Sequence, residues 1–205
     1  VSGGSVSDTV RVSFDGPVAV VSLNRPDRHN AFNDEMDAAF FSALADVGAR
    51  SDIRCVVWRG EGKSFSSGRD TSELGLRAGR ETDLEFIEAG HQKTTLLWEM
   101  PVPIVVALKG WVIGGSFERA LLCDIRVAAE DARMTLPEVA HGVIPDSGGV
   151  ARLFQMCGHG VAADLALTGR VIGAEEALQH GIVSRVAPTE GLDAEVMSLA
   201  HEIAK

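Results

Sequence analysis

Two short apolar runs each end in a glycine-rich loop, and the second loop opens directly into an apolar helix. Cys55-Val56-Val57-Trp58 runs into Gly60–Gly68, and Ile104–Leu108 runs into Gly110–Gly115, with Ser116–Cys123 following. Runs this short and this apolar read as buried strands. The glycines mark backbone that turns sharply or approaches something closely. Strand, loop and helix in succession constrain the chain to an α/β fold. The remaining pattern agrees. Val10–Phe14 and Val18–Leu23, separated by Asp15-Gly16-Pro17, predict a β-hairpin. Asn33 is placed to cap a helix with Met36, Phe40, Leu44 and Val47 on one stripe. A helix is expected around Leu84–Met100, broken by Pro101 and Pro103, and another strand at Ile125–Ala129. Gly148-Gly149 opens a short helix, and a helix follows around Val161–Leu167. Ala174–His180, closed by Gly181, reads as a helix, Ile182–Val186 as a last strand and Leu192–Lys205 as a helix. Nothing splits the core. The expected organisation is a mobile tail over 1–9, a core domain over 10–190, and the start of a C-terminal helical region over 191–205.

The chemistry is expected at the two loops. Gly114-Gly115 lies just before a helix, where backbone N–H groups lack intrahelical partners and face the positive end of the helix dipole. Gly68-Arg69 offers a second N–H. Two converging donors make an oxyanion hole, each worth about 2.7–4 kcal/mol in a typical acyl-transfer site. Gly114-Gly115 alone reads equally well as a tight turn. Glu118 sits one helical turn from Gly115 in a helix whose only other charge is Arg119. A lone glutamate there could simply favour the dipole. Glu138 follows Pro137, and Asp146 lies in the turn Pro145–Gly149, where it suits a helix cap. Several acids around one pocket suit general acid–base work. Ser116 is a candidate nucleophile, but spacing ties none of His91, His141 and His159 to it. Neither loop matches a dinucleotide or Walker fingerprint, and no histidine pair has metal-ligand spacing, so no metal is expected.

Bulk properties exclude other classes. The net charge of −10 over 205 residues, with no basic run, argues against nucleic-acid or anionic-membrane partners. Cys55, Cys123 and Cys157 fit neither a disulfide framework nor a zinc site and read as reduced thiols, which suits a cytoplasmic location.

Several segments in order resemble the enoyl-CoA hydratase/isomerase (crotonase) family. They are Val21–Phe32, Ser64–Asp70, Gly110–Glu118 continuing to Cys123-Asp124, Leu136-Pro137-Glu138, Gly142–Pro145 and Gly148-Gly149. The resemblance implies a spiral of ββα units, assembled as a trimer or hexamer, acting on an acyl-CoA thioester. Coenzyme A then enters as part of the substrate, and no prosthetic group is implied. Arg69 and Gly115 match the oxyanion donors, and Glu118 and Glu138 the glutamates that handle water and proton in hydratases. Arg25–Ala31, including Arg28, and the loop Ser66-Ser67-Gly68 with Asp70 and Gly114 match positions around the CoA moiety. Arg25, Arg28 and Lys63 are candidate phosphate partners, or ordinary surface cations. Asp146 stands where hydratases commonly carry glycine. In some relatives, isomerases among them, an acid in this turn takes part in catalysis. The chain also ends where relatives continue with further helices, so the C-terminal region is expected to be incomplete. The readings carried forward are a hydratase, an enoyl-CoA or dienoyl-CoA isomerase using Asp146 or a glutamate, and a non-catalytic acyl-CoA-binding protein.

Overall fold

The computed structural model describes residues 7–73 and 83–205. Of the tail expected over 1–9, residues 1–6 lie outside this description. Asp8 and Thr9 are tied down, their carbonyls accepting from the Asn24 side chain and backbone, so ordered structure begins before Val10. The hairpin follows as β1 (Val10–Asp15) and β2 (Val18–Leu23), paired antiparallel. Next comes α1 (Asp34–Gly48), capped by Asn33, whose side chain accepts from the Met36 N–H at 3.0 Å. Its stripe of Met36, Phe40, Leu44 and Val47 is fully buried.

The strands β3 (Cys55–Gly60), β4 (Ile104–Leu108), β6 (Ile125–Ala129) and β9 (Arg185–Ala187) then add in parallel, giving the order β1-β2-β3-β4-β6-β9. Helix α2 (Asp83–Trp98) connects β3 to β4, and α3 (Gly115–Leu122) precedes β6. The central strands are apolar on both faces because both faces are covered. One face carries Val21, Trp58, Val106 and Leu108 into the main core, where Trp58 packs against Phe40 and Phe65. The other carries Val18, Val57, Val105 and Val127 against α6 (Leu192–Ile203) through Leu192, Val196 and Leu199.

A second sheet was not anticipated from the sequence. It pairs β5 (Trp111–Ile113) with β7 (Arg133–Thr135), and β7 with β8 (Ile172–Gly173). Strands of two or three residues are too short to show a period. The last strand is also displaced. Ile182 and Val183 donate to the Ala177 carbonyl at the end of α5 (Ala174–Gln179), and pairing starts only at Arg185. The helix opened by Gly148-Gly149 and the one around Val161 form α4 (Gly149–Thr168), interrupted at Gly158, which has non-helical dihedrals. Its N-cap is Gly148, with no side-chain cap bond, so Asp146 is not the cap residue.

Candidate active site

The site is built where β3 and β4 end. The two strands are parallel neighbours, so both glycine loops leave from the same edge of the sheet, the edge where open α/β sheets place ligands. The loops then pair. Phe65 N donates to Lys109 O, Ser66 N to Trp111 O, and Ile113 N to Ser66 O. Farther along, Phe32 N donates to Gly68 O and Asp70 N to Phe32 O. In such a paired stretch successive N–H groups alternate sides, so the Arg69 N–H projects away from Phe32, on the side where Ile113-Gly114 runs. Gly68 has φ +86°, and a Cβ there would stand 2.7 Å from Ile113 O. Only glycine lets the two backbones come this close.

Gly114, at φ +56°, caps α3, and its N–H donates to Thr135 O at 2.9 Å. Gly115 begins the helix, and among the described residues nothing beyond its chain neighbours and its own helix backbone lies within 4 Å of where its Cβ would be. Its N–H belongs to the first helical turn, which has no intrahelical acceptors.

One turn along, Glu118 is 1% exposed. Its carboxylate accepts from Gly149 N at 2.9 Å and from Ser147 N at 3.1 Å. Gly149 packs so closely that a Cβ there would lie 2.7 Å from Glu118 Cα. Burial pushes the Glu118 carboxyl up to about 7, against the pull of those two N–H groups, with Glu138 and Asp146 pushing the same way. Glu138 arrives by another route. β7 pairs with β5, Ile113 opposite Thr135, and the tight turn Pro137–His141 then sets Glu138 against Gly114. Glu138 Oε1 stands 2.8 Å from where a Gly114 Cβ would be, and its Oε2 is buried without a hydrogen-bond partner among the described residues. Burial raises the Glu138 carboxyl too, and Asp146 adds to this. Asp146 itself is exposed, on the loop whose next residue, Ser147, holds Glu118.

The other expected site residues divide. The Arg25 guanidinium is bound internally, to the Ala31 carbonyl and to Asp70 at 3.1 Å, so Arg25, Ala31 and Asp70 brace the loop with their polar groups already engaged. Ser66 is fully buried and equally committed, to Asn30 O and Ser116. Arg28 and Lys63 are exposed, and Ser67 lies beside Arg28, its hydroxyl reaching Arg28 O at 3.4 Å. The Arg69 side chain pairs with Asp34. Ser116 is 2% exposed and its hydroxyl meets Ser66, while His91 bonds the Asp146 carbonyl, so the nucleophilic-serine reading has no base beside it among the described residues. Asn30 was missed by sequence reasoning. It is fully buried at φ +53°, accepts from Arg25 N, and donates to Glu61 O and Ser64 O. Its only advance signal was its place in the motif ending at Phe32.

A spiral α/β core with two glycine loops meeting beside the buried Glu118 and the half-buried Glu138 defines the crotonase class of fold. Comparison with known proteins then gives the family. The description enoyl-CoA hydratase/isomerase matches residues 13–205. A Mycobacterium bovis protein named probable enoyl-CoA hydratase echA8 is 34% identical over 202 residues, covering 97% of this chain and 76% of the relative. Carnitinyl-CoA dehydratase of Salmonella paratyphi A is 33% identical, covering 98% of this chain and 74% of its own. The crystal structure of an enoyl-CoA hydratase subunit from Geobacillus kaustophilus HTA426 superposes with a TM-score of 0.89 at 34% identity, covering 97% of this chain and 77% of that one. The chain belongs to the enoyl-CoA hydratase/isomerase family.

Proposed function

We propose that the chain is an enoyl-CoA hydratase, adding water across the 2,3 double bond of an enoyl-CoA thioester. The observation that carries this is the pair of raised carboxyls, Glu118 buried in the first turn of α3 and Glu138 half-buried against its cap. The thioester carbonyl sits between the N–H groups of Arg69 and Gly115. Water lies between the two glutamates. One carboxylate takes a proton from the water as its oxygen bonds to C3. The electrons of the double bond move onto the thioester oxygen, giving an enolate held by the two N–H groups. C2 then takes a proton from the other glutamate. Raised carboxyls suit this division, because near neutral pH one can be protonated while the other is ionised. The hole accelerates the reaction only insofar as it binds the enolate more tightly than the starting carbonyl. The same machinery run backwards is a dehydration, the reaction named for the Salmonella relative. Arg28 and Lys63 are the exposed cations offered to the CoA phosphates, and Arg25 supports the loop behind them.

Glu118→Gln and Glu138→Gln should each lower hydration of crotonyl-CoA by about 10²–10⁴-fold, with binding of the saturated butyryl-CoA retained. Full activity in both would remove the glutamates from the mechanism, and tight butyryl-CoA binding without turnover in the unaltered protein would make it a binding protein. Asp146 supports a second reading, isomerisation, because it lies on the loop that holds Glu118 and acts on both glutamates electrostatically. A 3-enoyl-CoA converted without incorporation of labelled solvent oxygen, at a rate lost in Asp146→Asn, would favour it.

A further inference from the structure

A buried hydrogen bond between two hydroxyls joins the loops that carry the proposed oxyanion donors. Ser66 Oγ lies 2.7 Å from Asn30 O and 2.7 Å from Ser116 Oγ. A carbonyl only accepts, so Ser66 spends its single proton on Asn30, and Ser116 must be the donor in the hydroxyl pair. The Gly68 N–H also donates to Ser66 Oγ, at 3.2 Å. One donor and two acceptor positions of Ser66 are therefore filled. Both serines are buried, at 0% and 2% exposure. A satisfied polar chain in a dry interior is stiff, because losing any link leaves a desolvated group without a partner.

The places of these residues in the chain give the bridge its meaning. Gly68 immediately precedes Arg69, and Ser116 immediately follows Gly115. The backbone ladder between the loops runs from Phe65 to the bond from Ile113 N to Ser66 O. Beyond it the segments take different neighbours, the 68–70 stretch pairing with Phe32 and Gly114 with Thr135. The hydroxyl pair spans this divergence, with one end on the peptide before Arg69 and the other on the first turn of α3.

We propose that the Ser66–Ser116 bridge sets the separation and aim of the Arg69 and Gly115 N–H groups, making both serines positioning residues of the oxyanion hole. The inference rests on the hydratase reading above, which gives the hole its role. Oxyanion donors work by being held in place before charge develops, and a displacement of about 1 Å can cost about 100-fold in rate. The enolate, with full charge on oxygen, suffers more from misplacement than the neutral carbonyl does. The bridge therefore acts on kcat rather than on ground-state binding.

Ser116→Ala is the mildest test, since it leaves Ser66 bonded to Asn30 and Gly68. Acetoacetyl-CoA is the probe, because its enolate mimics the intermediate and has its own ultraviolet absorbance. Butyryl-CoA reports ground-state binding. Ser116→Ala should lower kcat for crotonyl-CoA about 10- to 100-fold, leave KM and butyryl-CoA affinity within about twofold, and weaken the bound enolate signal. Ser116→Thr, which keeps the hydroxyl, should restore the signal. Should the alanine variant not fold, Ser116→Cys, similar in size and a weaker donor, carries the same comparison. A folded variant that binds the enolate and turns over like the unaltered protein overturns the bridge and leaves the hydratase reading standing. Equal losses in turnover and butyryl-CoA affinity also overturn it, because they report general damage. If the unaltered protein binds butyryl-CoA yet neither hydrates crotonyl-CoA nor shows the enolate signal, the hydratase reading falls and the bridge falls with it.

Discussion

At the scale of single residues, Glu118 shows how burying a carboxyl raises its proton affinity at the expense of stability. Its carboxyl has an ordinary value of 4.5 and is pushed up to about 7 in the fold, chiefly by burial. The folded state therefore holds the proton more tightly than the unfolded chain. Below about 4.5 both states are protonated and the site costs nothing. As pH rises from there to about 7 the ionised form becomes the unfolded chain's advantage, and above 7 the full penalty stands. Glu118→Gln can still offer one oxygen to Ser147 and Gly149, the two N–H groups that Oε2 accepts from. It should be more stable than the unaltered protein at pH 8 by up to about 3 kcal/mol, with no advantage at pH 4, as urea unfolding at the two pH values will show. Gly114 supplies a second case. Gly114→Ala would force a left-handed conformation on a side-chain-bearing residue and drive its Cβ toward Glu138 Oε1. At φ +56° and ψ −132° the strain is worth about 1–3 kcal/mol. A melting curve should show that modest loss while hydration of crotonyl-CoA falls far more, because the displaced group is a proposed reactant.

At the scale of elements, α2 is fastened beside the site by polar contacts as well as by Leu97 in the core. Lys93 and Arg119 both pair with Asp37 of α1, at 2.8 and 2.7 Å, and Arg119 stacks over Phe32 and Phe41. Burial works to raise the Asp37 carboxyl, but Arg119 and Lys93 outweigh it and hold it below its ordinary 3.8. Its stabilising contribution is present above about 3.8 and is lost as pH falls through the lower folded value. Asp37→Ala should cost about 3–5 kcal/mol by denaturant unfolding, because the mostly covered Arg119 guanidinium is left without its counter-charge. His91 is the other fastening, its Nε2 donating to the Asp146 carbonyl at 2.8 Å. That loop supplies the Ser147 N–H that favours ionised Glu118. His91→Ala should move the limb of the kcat/KM profile that Glu118 governs upward in pH, and His91→Gln, which keeps a donor, should move it less. Sequence periodicity exposed α1, α3 and the central strands because each is long or apolar enough to show a pattern. β5 and β7 escaped it, and with them the reason Glu138 reaches Gly114: three-residue strands carry no period, and their pairing is a property of the assembled loops.

At the scale of the whole molecule, the central sheet is stable only with both faces covered. The main core lies on one side, and among the described residues α6 brings Leu192, Val196, Leu199 and Ala200 to the cluster on the other. Ending the chain before Leu192 would uncover Val18, Val57, Val105 and Val127, and the product should be recovered as aggregate, which sedimentation will test. Among the described residues no helix is long and apolar enough to cross a membrane. What followed from the sequence alone was what local chemistry dictates: the alternation of strands and helices, the two glycine loops and the Asn33 cap, with Glu118, Glu138 and Asp146 as candidate acids near them. Each depends on neighbours a few residues away, where spacing is visible. Only the tertiary structure decided that Arg25 and Asp70 pair with each other to brace a loop, that Ser116 is a hydroxyl partner with no base beside it among the described residues, and that Glu138 meets Gly114. Those outcomes join groups from about 20 to 50 positions apart, and charge and hydrogen bonding at such separations are set by which backbones the sheet brings together, which no local pattern encodes.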